Sequence, residues 1–492
     1  MKKLKSTAAL LLAAMTVSFA ACGGESAEPS PAPAQTAENS AVEAAEQTED
    51  EIRPAVPELE ARDLGGKEFR VLAFTRGDPG TWFQYLDFGY DEELAGDLIN
   101  DAVHDRNVAA EEKYNFIIVN TTVSDAAAAA KKTIAAGSDE YDIIEPYMDT
   151  SFQMAGSEML VNCMSLPWLE LDKEWWDRNI LRDLTLYGRL YAVSGDISMF
   201  DDDLSYIVYF NKALTRQYGL GDFYDYVRDG SWTADRVTEL AAGITRDLNG
   251  DSVLDGSDLW GIATDHSVGR SWYFAFGGQM CEIGGDGAPQ IVMGGEKSQT
   301  VFDRIGAIMN DEAMTLMVTK LPGSWSGASE MMKNNQIMIY PASLYTVTRY
   351  RSMEEDFGIL PYPKLDESQD RYYNQVASWV CPAISVPVTN TDPDFTGFAL
   401  EALARGSVDT VASAYIGVNL MTKVTRDDES AEMLRLILDS KRYDLAVSFN
   451  WGKLSDIIAD CCKKPDTFQS KYASRESKAF SDLEATVEMF RG

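Results

Sequence analysis

The order of apolar and polar positions predicts alternating strands and helices at the start of the folded body. Short apolar runs closed by turn residues predict three strands, at 69–74, 116–119 and 141–144. Apolar residues at helical spacing fill 97–114, and an alanine-rich helix capped by Ser124 ends at Gly137. This βαβαβ order implies a largely parallel sheet flanked by helices, with a ligand site at the carboxyl ends of the strands.

The same patterns continue along the chain. They predict an amphipathic helix at 233–243 and further short strands at 205–210, 336–340 and 357–360. The last part of the chain, roughly one hundred residues, is mainly helical by pattern. Both classes of element therefore recur over the whole body, and the fold class is α/β.

The N-terminus has the pattern of a secretory signal. A basic start precedes an apolar run at 8–15, which is shorter than the roughly 20 residues of a membrane-spanning helix. Residues 1–21 resemble a bacterial lipoprotein signal peptide, in which cleavage falls before a lipid-bearing cysteine, here Cys22. The lipid would be a palmitate-type anchor. Phe19 stands where such signals usually carry Leu or Val, so secretion without a lipid is the alternative.

Residues 22–65 are predicted to be a flexible linker. The stretch that follows Cys22 is rich in Gly, Ser, Ala, Pro, Glu, Gln and Thr, and up to about Pro57 it has no aromatic residue. Such a composition cannot bury enough apolar surface to offset the entropy of ordering. No later apolar run is long enough to cross a membrane, so the lipid is the only membrane anchor we predict.

Length and charge limit the classes of function. The chain has 492 residues, and the body that follows the linker exceeds what one hydrophobic core usually organises, so we expect two lobes. A net charge of −35 argues against binding to nucleic acid, where basic patches supply most of the affinity. Five cysteines of the body are widely spaced and odd in number, which favours buried free thiols over a disulfide framework. They are Cys163, Cys281, Cys381, Cys461 and Cys462.

An acidic loop at 247–258 has the spacing of a calcium-binding EF-hand loop. Oxygen donors stand at loop places 1, 3, 5, 7, 9 and 12. They belong to Asp247, Asn249, Asp251, Val253, Asp255 and Asp258. Ser252 replaces the usual turn glycine, and an aspartate replaces the final glutamate, an ending that resembles dockerin loops. We predict a structural calcium ion here, and the alternative is an acidic turn rich in Asp and Asn without an ion.

The sequence offers no catalytic constellation. It has only two histidines, His104 and His266, too few for a zinc cluster or a histidine-dependent nucleophile. The segment 323–327 lacks the serine position and the context of a nucleophile elbow. We therefore predict no catalytic residue, no catalytic cofactor and no enzyme; a secreted glycoside-active enzyme is the remaining enzymatic alternative. The positive signal is a set of aromatic residues at loops and strand ends, which can stack on sugar rings.

Several segments resemble bacterial extracellular solute-binding lipoproteins of the carbohydrate ABC importer type. The segments that carry the resemblance are 100–107, 111–115, 209–214, 218–220, 230–233 and 423–434. The first two look like the opening helix of those proteins, the next three like the entry to their second lobe, and the last like a late helix. The resemblance covers the body from about 68 to 490.

This resemblance implies a two-lobed, Venus-flytrap fold similar in architecture to maltose-binding proteins. Lobe 1 would comprise 66–200 and 378–425, and lobe 2 would comprise 201–377 and 426–492, with crossings near 198–205, 374–379 and 415–430. Each lobe would hold a mainly parallel sheet. The implied function is capture of a mono- or oligosaccharide by a monomer on the outer face of a Gram-positive-type cell membrane, and its delivery to an ABC permease. The alternative ligand is a non-sugar solute, such as a peptide or a polyamine.

The resemblance also implies a set of ligand-binding residues. They are Trp82, Phe83, Tyr147, Asp149, Asp202, Trp272, Tyr273, Tyr345 and Trp379. The aromatic members would stack on sugar rings and the aspartates would bind hydroxyl groups. For any single aromatic residue the alternative is packing in the core, and for Asp202 it is a solvated turn.

Overall fold

The computed structural model describes residues 56–77, 85–350, 353–421 and 428–491. The predicted signal, Cys22, Trp82 and Phe83 lie outside these ranges. Within them, no helix is both long enough and apolar enough to cross a membrane. All five cysteines of the body are buried free thiols, as the sequence predicts.

The first lobe opens with the predicted alternation of strands and helices. Its elements are β1 (Lys67–Phe74), α1 (Leu98–Tyr114), β2 (Phe116–Val123), α2 (Ala126–Ala135), β3 (Ile143–Ile144), α3 (Met148–Ala155) and α4 (Arg178–Leu184). The three strands form a parallel sheet in the order β2-β1-β3. Its core is aromatic, with Phe69 in edge contact with both Phe116 and Phe395.

Side-chain caps explain where the first two helices begin. The carboxylate of Asp97 accepts hydrogen bonds from the backbone N–H groups of Ile99 and Asn100 at the start of α1. Helix α2 is capped by Asp125, not by Ser124 as predicted, because the Asp125 carboxylate accepts the N–H of Ala128. Aspartate is the better acceptor of the two, since its charge also favours the positive helix N-terminus.

The second lobe contains a larger sheet and most of the short helices. Its elements are α5 (Phe200–Asp203), β4 (Tyr206–Asn211), α6 (Lys212–Tyr218), α7 (Phe223–Arg228), α8 (Ala234–Ala241), β5 (Trp260–Thr264), α9 (Gly269–Ala275), β6 (Cys281–Ile283), β7 (Pro289–Ile291), α10 (Glu296–Met309), β8 (Thr315–Met317), α11 (Trp325–Lys333), β9 (Ile337–Ser343) and β10 (Phe357–Leu360). The five main strands follow the order β10-β4-β9-β5-β8.

This second sheet is mixed in strand direction. Strand β5 pairs in parallel with β8 and β9, whereas β4 pairs antiparallel with β9 and β10. The expectation of a mainly parallel sheet therefore describes lobe 1 better than lobe 2. The strands predicted near 205–210, 336–340 and 357–360 are all present, as β4, β9 and β10.

The C-terminal part of the chain is mainly helical, as predicted. Its elements are β11 (Asn374–Gln375), α12 (Pro393–Ser407), α13 (Ser413–Met421), α14 (Asp428–Asp439), β12 (Lys441–Arg442), α15 (Leu445–Ser448), α16 (Ile458–Lys463) and α17 (Phe468–Arg491). The short 3₁₀ and π helices are Glu92–Leu94, Cys163–Ser165, His266–Val268, Val318–Lys320, Leu344–Tyr350, Val408–Ala412, Trp451–Ile457 and Pro465–Thr467.

These elements return to both lobes. Helices α12 and α13 pack against α1 of lobe 1, and Ser385 bridges to Ile144 of β3. Helix α14 packs against β10 of lobe 2, and β12 then pairs in parallel with β11. The predicted lobe limits remain predictions at the resolution of single residues.

The packed body begins before the predicted end of the linker at residue 65. Leu64 is buried, and its N–H donates to the carbonyl of Tyr114 at 2.8 Å. Arg405 donates to the carbonyl of Pro57 at 2.6 Å, and Leu59 packs against the core. Residues 56–65 therefore belong to lobe 1, because their leucines and backbone groups find partners there.

Candidate functional site

Asp149 presents a buried carboxylate between the lobes. It lies in the first turn of α3, directly after β3, and is 9% exposed. Its backbone N–H donates to the carbonyl of Ser378 at 3.3 Å. Among the described residues, its Oδ1 atom has no hydrogen-bond partner. Burial raises the pKa of Asp149, while Ser378, Arg270 and Ser448 oppose the rise, so the carboxylate retains capacity for another donor.

Arg270 of α9 in lobe 2 provides the opposing positive charge. Its guanidinium lies over the indole of Trp379, 4.5 Å from the ring centroid. Burial lowers the pKa of Arg270, and Asp149 is the strongest of the acidic groups that oppose this. In the part of the chain that the structure describes, no carboxylate forms an ion pair with Arg270 within 4 Å. The guanidinium is thus held by an aromatic face and by charge at longer range.

Trp379 and Tyr206 complete this group. Trp379 follows β11 at the crossing between lobes, and Tyr206 opens β4 of lobe 2. Their rings are nearly parallel, with centroids 6.4 Å apart and planes at 22°. Burial raises the pKa of Tyr206 to about 12, so its hydroxyl keeps its proton at neutral pH. We call Asp149, Tyr206, Arg270 and Trp379 the interlobe group.

Two other predicted aromatic residues are half-buried. Tyr147 precedes α3 and stacks on Phe74 at the end of β1, with ring centroids 4.5 Å apart and planes at 16°. This stack lies at the carboxyl edge of the lobe 1 sheet, as the topology predicts for a ligand site. Tyr345 lies in the short helix Leu344–Tyr350 that follows β9.

Asp202 has a role that the sequence did not suggest. Its carboxylate pairs with the ammonium group of Lys441 at 2.6 Å, and the same ammonium contacts Asp201 at 2.5 Å and Asp177 at 2.8 Å. Asp177 caps α4 of lobe 1, Asp201 and Asp202 lie in α5 at the first crossing, and Lys441 lies in β12. We call these four residues the hinge cluster. Neither a solvated turn nor a free hydroxyl-binding carboxylate describes Asp202 here.

Trp272 and Tyr273 do not face the cleft. Both side chains are 0% exposed in the core of lobe 2. The indole N–H of Trp272 donates to the hydroxyl of Thr264, and the hydroxyl of Tyr273 bonds that of Ser298. Residues two apart on a helix point in nearly opposite directions, so α9 turns Trp272 inward while Arg270 faces Trp379.

The acidic loop at 247–258 is rich in side-chain to backbone hydrogen bonds. No three His, Cys, Asp or Glu side chains come together as a metal cluster in the described ranges. The carboxylates accept backbone N–H groups instead: Asp247 from Gly250 and Ser252, and Asp258 from Leu248 and Asp255. Asp258, the predicted last calcium ligand, is fully buried. The loop is thus held by side-chain to backbone hydrogen bonds, and these contacts give no support to the calcium interpretation.

The interlobe group has the chemistry of a site for a polar ring. A carboxylate accepts hydrogen bonds from hydroxyl groups, a guanidinium donates them, and aromatic faces cover C–H surfaces. Two open hollows, of about 490 and 620 Å³, lie elsewhere on the surface, beside Asp366 and beside Trp168, and neither is lined by this group.

Of the interlobe group, the sequence predicts Asp149 and Trp379 but not Arg270 or Tyr206. The pattern at 205–210 predicts a strand, and the position of Tyr206 at the start of that strand is the only signal for a cleft-facing ring. Arg270 lies two residues before Trp272, and this helical spacing is the signal that the sequence offers.

Solved structures resemble the whole body of this chain. A cyclo/maltodextrin-binding protein in complex with maltotetraose has a TM-score of 0.54 at 12% identity, covering 87% of this chain and 98% of that protein. M. tuberculosis UspC has a TM-score of 0.55 at 14% identity, covering 84% and 100%. An ABC substrate-binding protein from Listeria monocytogenes in complex with cycloalternan has a TM-score of 0.50 at 12% identity, covering 86% and 99%.

The fold is that of two-lobed solute-binding proteins. This confirms the fold that the sequence resemblance implies. At such low identity the comparison establishes the fold and not the ligand. No protein-family model matches the sequence. No curated protein matches it either.

Proposed function

We propose that this protein is an extracellular solute-binding protein that captures a mono- or oligosaccharide between its lobes and delivers it to an ABC permease. Cys22 would carry the lipid that holds it at the outer face of the cell membrane. The function is binding without a catalytic step, and the working unit is a monomer.

One observation carries the proposal: the interlobe group draws a polar and aromatic site from both lobes and from the crossing between them. Asp149 comes from lobe 1, Tyr206 and Arg270 come from lobe 2, and Trp379 lies at the crossing. A solute that contacts all four is held by both lobes at once, so its binding energy favours the closed arrangement.

The similar structures support a carbohydrate as the solute. One is described in complex with maltotetraose and another in complex with cycloalternan, and the latter is named as an ABC substrate-binding protein. A peptide or polyamine is the alternative that the acidic charge of the chain favours.

Binding is tested with the purified body, residues 56–492, by thermal shift and then by isothermal titration calorimetry. The panel contains mono- and oligosaccharides, amino acids, short peptides and polyamines. A ligand raises the melting temperature because it binds only the folded state. We expect a shift with at least one saccharide. A shift with a peptide alone would contradict the proposed ligand class.

Two variants connect that binding to the interlobe group. Asp149→Asn removes a charged acceptor, whose hydrogen bond is worth about 1.5–3 kcal/mol, so we expect affinity to fall roughly 10- to 100-fold. Trp379→Ala removes the aromatic face and should weaken binding similarly. Trp168→Phe is the matched control, because Trp168 lies on the outer side of lobe 1 against Asp394. Unchanged affinity in both site variants would place the ligand elsewhere.

A further inference from the structure

A small cavity lies in lobe 1 at the carboxyl ends of β1 and β3. Its walls include the rings of Phe74, Tyr85 and Phe200, and two carboxyl groups, Asp87 and Glu145, line it. About 10 Å³ is open to the centre of a water-sized group, which is room for one such group. Phe74 also stacks on Tyr147, so the cavity adjoins the edge at which the solute is expected.

The two carboxyl groups are almost fully buried, and that of Asp87 lacks hydrogen-bond donors. Asp87 is 1% exposed and Glu145 is 3% exposed. Neither carboxyl oxygen of Asp87 has a hydrogen-bond partner of acceptable geometry among the described residues. The Ser198 hydroxyl and the Met199 N–H lie near enough to favour its charge without making such a bond. Buried polar atoms without partners are rare in folded proteins and call for an explanation.

The nearest cation does not supply the missing donors. Arg106 is buried beside the pair, and its charge opposes the effect of burial on both carboxyls. Its N–H groups are directed to neutral acceptors instead: the carbonyl of Ile197 at 3.2 Å, the hydroxyl of Ser407 at 3.1 Å and the side-chain oxygen of Asn107 at 2.8 Å. It also donates to the backbone carbonyl of Asp87. The carboxyl oxygens of Asp87 thus receive no arginine N–H.

Because burial disfavours charge, the two carboxyl groups together keep protons near neutral pH and are only partly ionised. Burial raises the pKa of Asp87 to about 7 and that of Glu145 well above its usual range. The charge of Asp87 disfavours the ionisation of Glu145, whereas a hydrogen bond from protonated Glu145 favours that of Asp87, which is the behaviour of two acids that share one proton. A cation that enters the cavity would relieve this repulsion and allow both groups to ionise.

We propose that this cavity receives a primary ammonium group of the solute, so that the solute is an amino sugar. An ammonium group is about the size of a water molecule and carries three N–H donors for the two carboxyls. The rings of Tyr85 and Phe200, which stack 5.2 Å apart at 9°, form part of the wall. A neutral hydroxyl supplies one donor and no charge, and an acetamido group is too large for the space. The inference rests on the proposed sugar-binding function.

Isothermal titration calorimetry at pH 7 tests this preference directly. The probes are glucosamine, N-acetylglucosamine and glucose, together with their β-1,4-linked trisaccharides. We expect the amine-bearing member of a series to bind at least 10-fold more tightly than the acetylated and neutral members. This comparison uses only the wild-type protein, so it does not depend on any variant that fails to fold.

Two nearly isosteric variants test whether the preference for amine-bearing sugars depends on this cavity. In Asp87→Asn and Glu145→Gln we expect the amine preference to fall below about 2-fold while the affinity for the neutral sugar is retained. Glu401→Gln is the matched control, since Glu401 is an equally buried carboxyl of lobe 1 that bonds the indoles of Trp175 and Trp176. It should keep the full preference, and the melting temperature of each variant reports folding.

The outcomes separate this inference from the proposed function. Equal binding of the amine-bearing and neutral sugars overturns the ammonium site and leaves sugar capture intact. Binding of spermidine or putrescine that depends on Asp87, without binding of any sugar, supports the ammonium site but overturns both the amino-sugar assignment and sugar capture. A wild-type preference that survives both variants overturns the assignment to this cavity.

Discussion

At the scale of single residues, several carboxyl groups sit in surroundings that favour their neutral form. Burial raises the pKa of Asp87 and of Asp203 to about 7, far above the ordinary value of 3.8. Asp203 accepts hydrogen bonds from the hydroxyls of Tyr85 at 3.1 Å and Tyr415 at 2.9 Å, which only partly offset its burial. These acids lie near the crossing between lobes, where the site and the hinge need polar groups.

We expect stability to fall as pH rises from 5 to 8. In this window the folded protein keeps protons on Asp87, Glu145 and Asp203 that the unfolded chain has already lost, because their pKa values are raised by folding. The unfolded state therefore binds fewer protons, and the free energy of unfolding decreases with pH. Each acid with a pKa of about 7 should account for a loss of roughly 2–3 kcal/mol, and urea unfolding measures the sum.

Asp87→Asn should flatten this dependence, since the amide does not titrate. Asp177 is an internal contrast. The charge of Lys441 outweighs the effect of burial and lowers the pKa of Asp177 to about 2. Its contribution to the free energy of unfolding therefore changes only below about pH 4. Stability that rises between pH 5 and 8 would show that these carboxyls are ionised in the folded protein.

At the scale of elements, the hinge cluster connects segments that are far apart in sequence. Lys441 of β12 is 6% exposed and contacts acids from α5 and from the start of α4. The hydroxyl of Tyr443 adds a hydrogen bond to Asp177 at 3.1 Å. Because one ammonium group contacts all three carboxyl groups, the stability of the hinge cluster depends strongly on Lys441.

Lys441→Met is expected to destabilise the protein by roughly 3–5 kcal/mol, because it leaves buried aspartates without their cation. Urea unfolding at pH 7 measures this change. Lys173→Met is the matched control: its ion pair with Asp172 is solvent-exposed and should cost less than about 1 kcal/mol. Equal effects of the two substitutions would contradict a supporting role for the hinge cluster.

The elements of the sheets were predictable from local pattern, whereas most of the contacts between lobes were not. Strands β1, β4 and β10 fall within two residues of their predicted positions, because apolar runs and turn residues are adjacent in sequence. The hinge cluster joins residues more than 200 positions apart, and no local pattern encodes such a pairing. Trp272 shows the same limit, since an aromatic residue suits a cleft and a core equally well.

At the scale of the whole molecule, the predicted lipid and linker would hold the two lobes near the membrane. A tether of this kind raises the local concentration of the receptor around its permease. Pro57, Leu59 and Leu64 already contact lobe 1, so the segment available as a linker is shorter than the 22–65 we predicted. The reach of the lobes from the membrane is reduced accordingly.

Cys22→Ser tests the anchor in a Gram-positive host that secretes the full-length chain. We expect the wild type in the detergent-soluble membrane fraction, labelled by an alkyne analogue of palmitate, and the variant unlabelled and released into the medium. Cys163→Ser, which changes a buried cysteine of the body, should stay membrane-bound. Release of the unlabelled wild type would establish simple secretion instead.

The pairing of β11 with β12 also limits how the lobes can move. Asn374 donates its N–H to the carbonyl of Ser440 at 2.9 Å, so two passages of the chain are joined side by side as a ribbon. A ribbon bends across its thin direction at little cost, but shear along its length breaks its hydrogen bonds. We therefore expect the lobes to rotate about a single hinge axis. Such a rotation would return the two sides of the site to the same alignment at each closure.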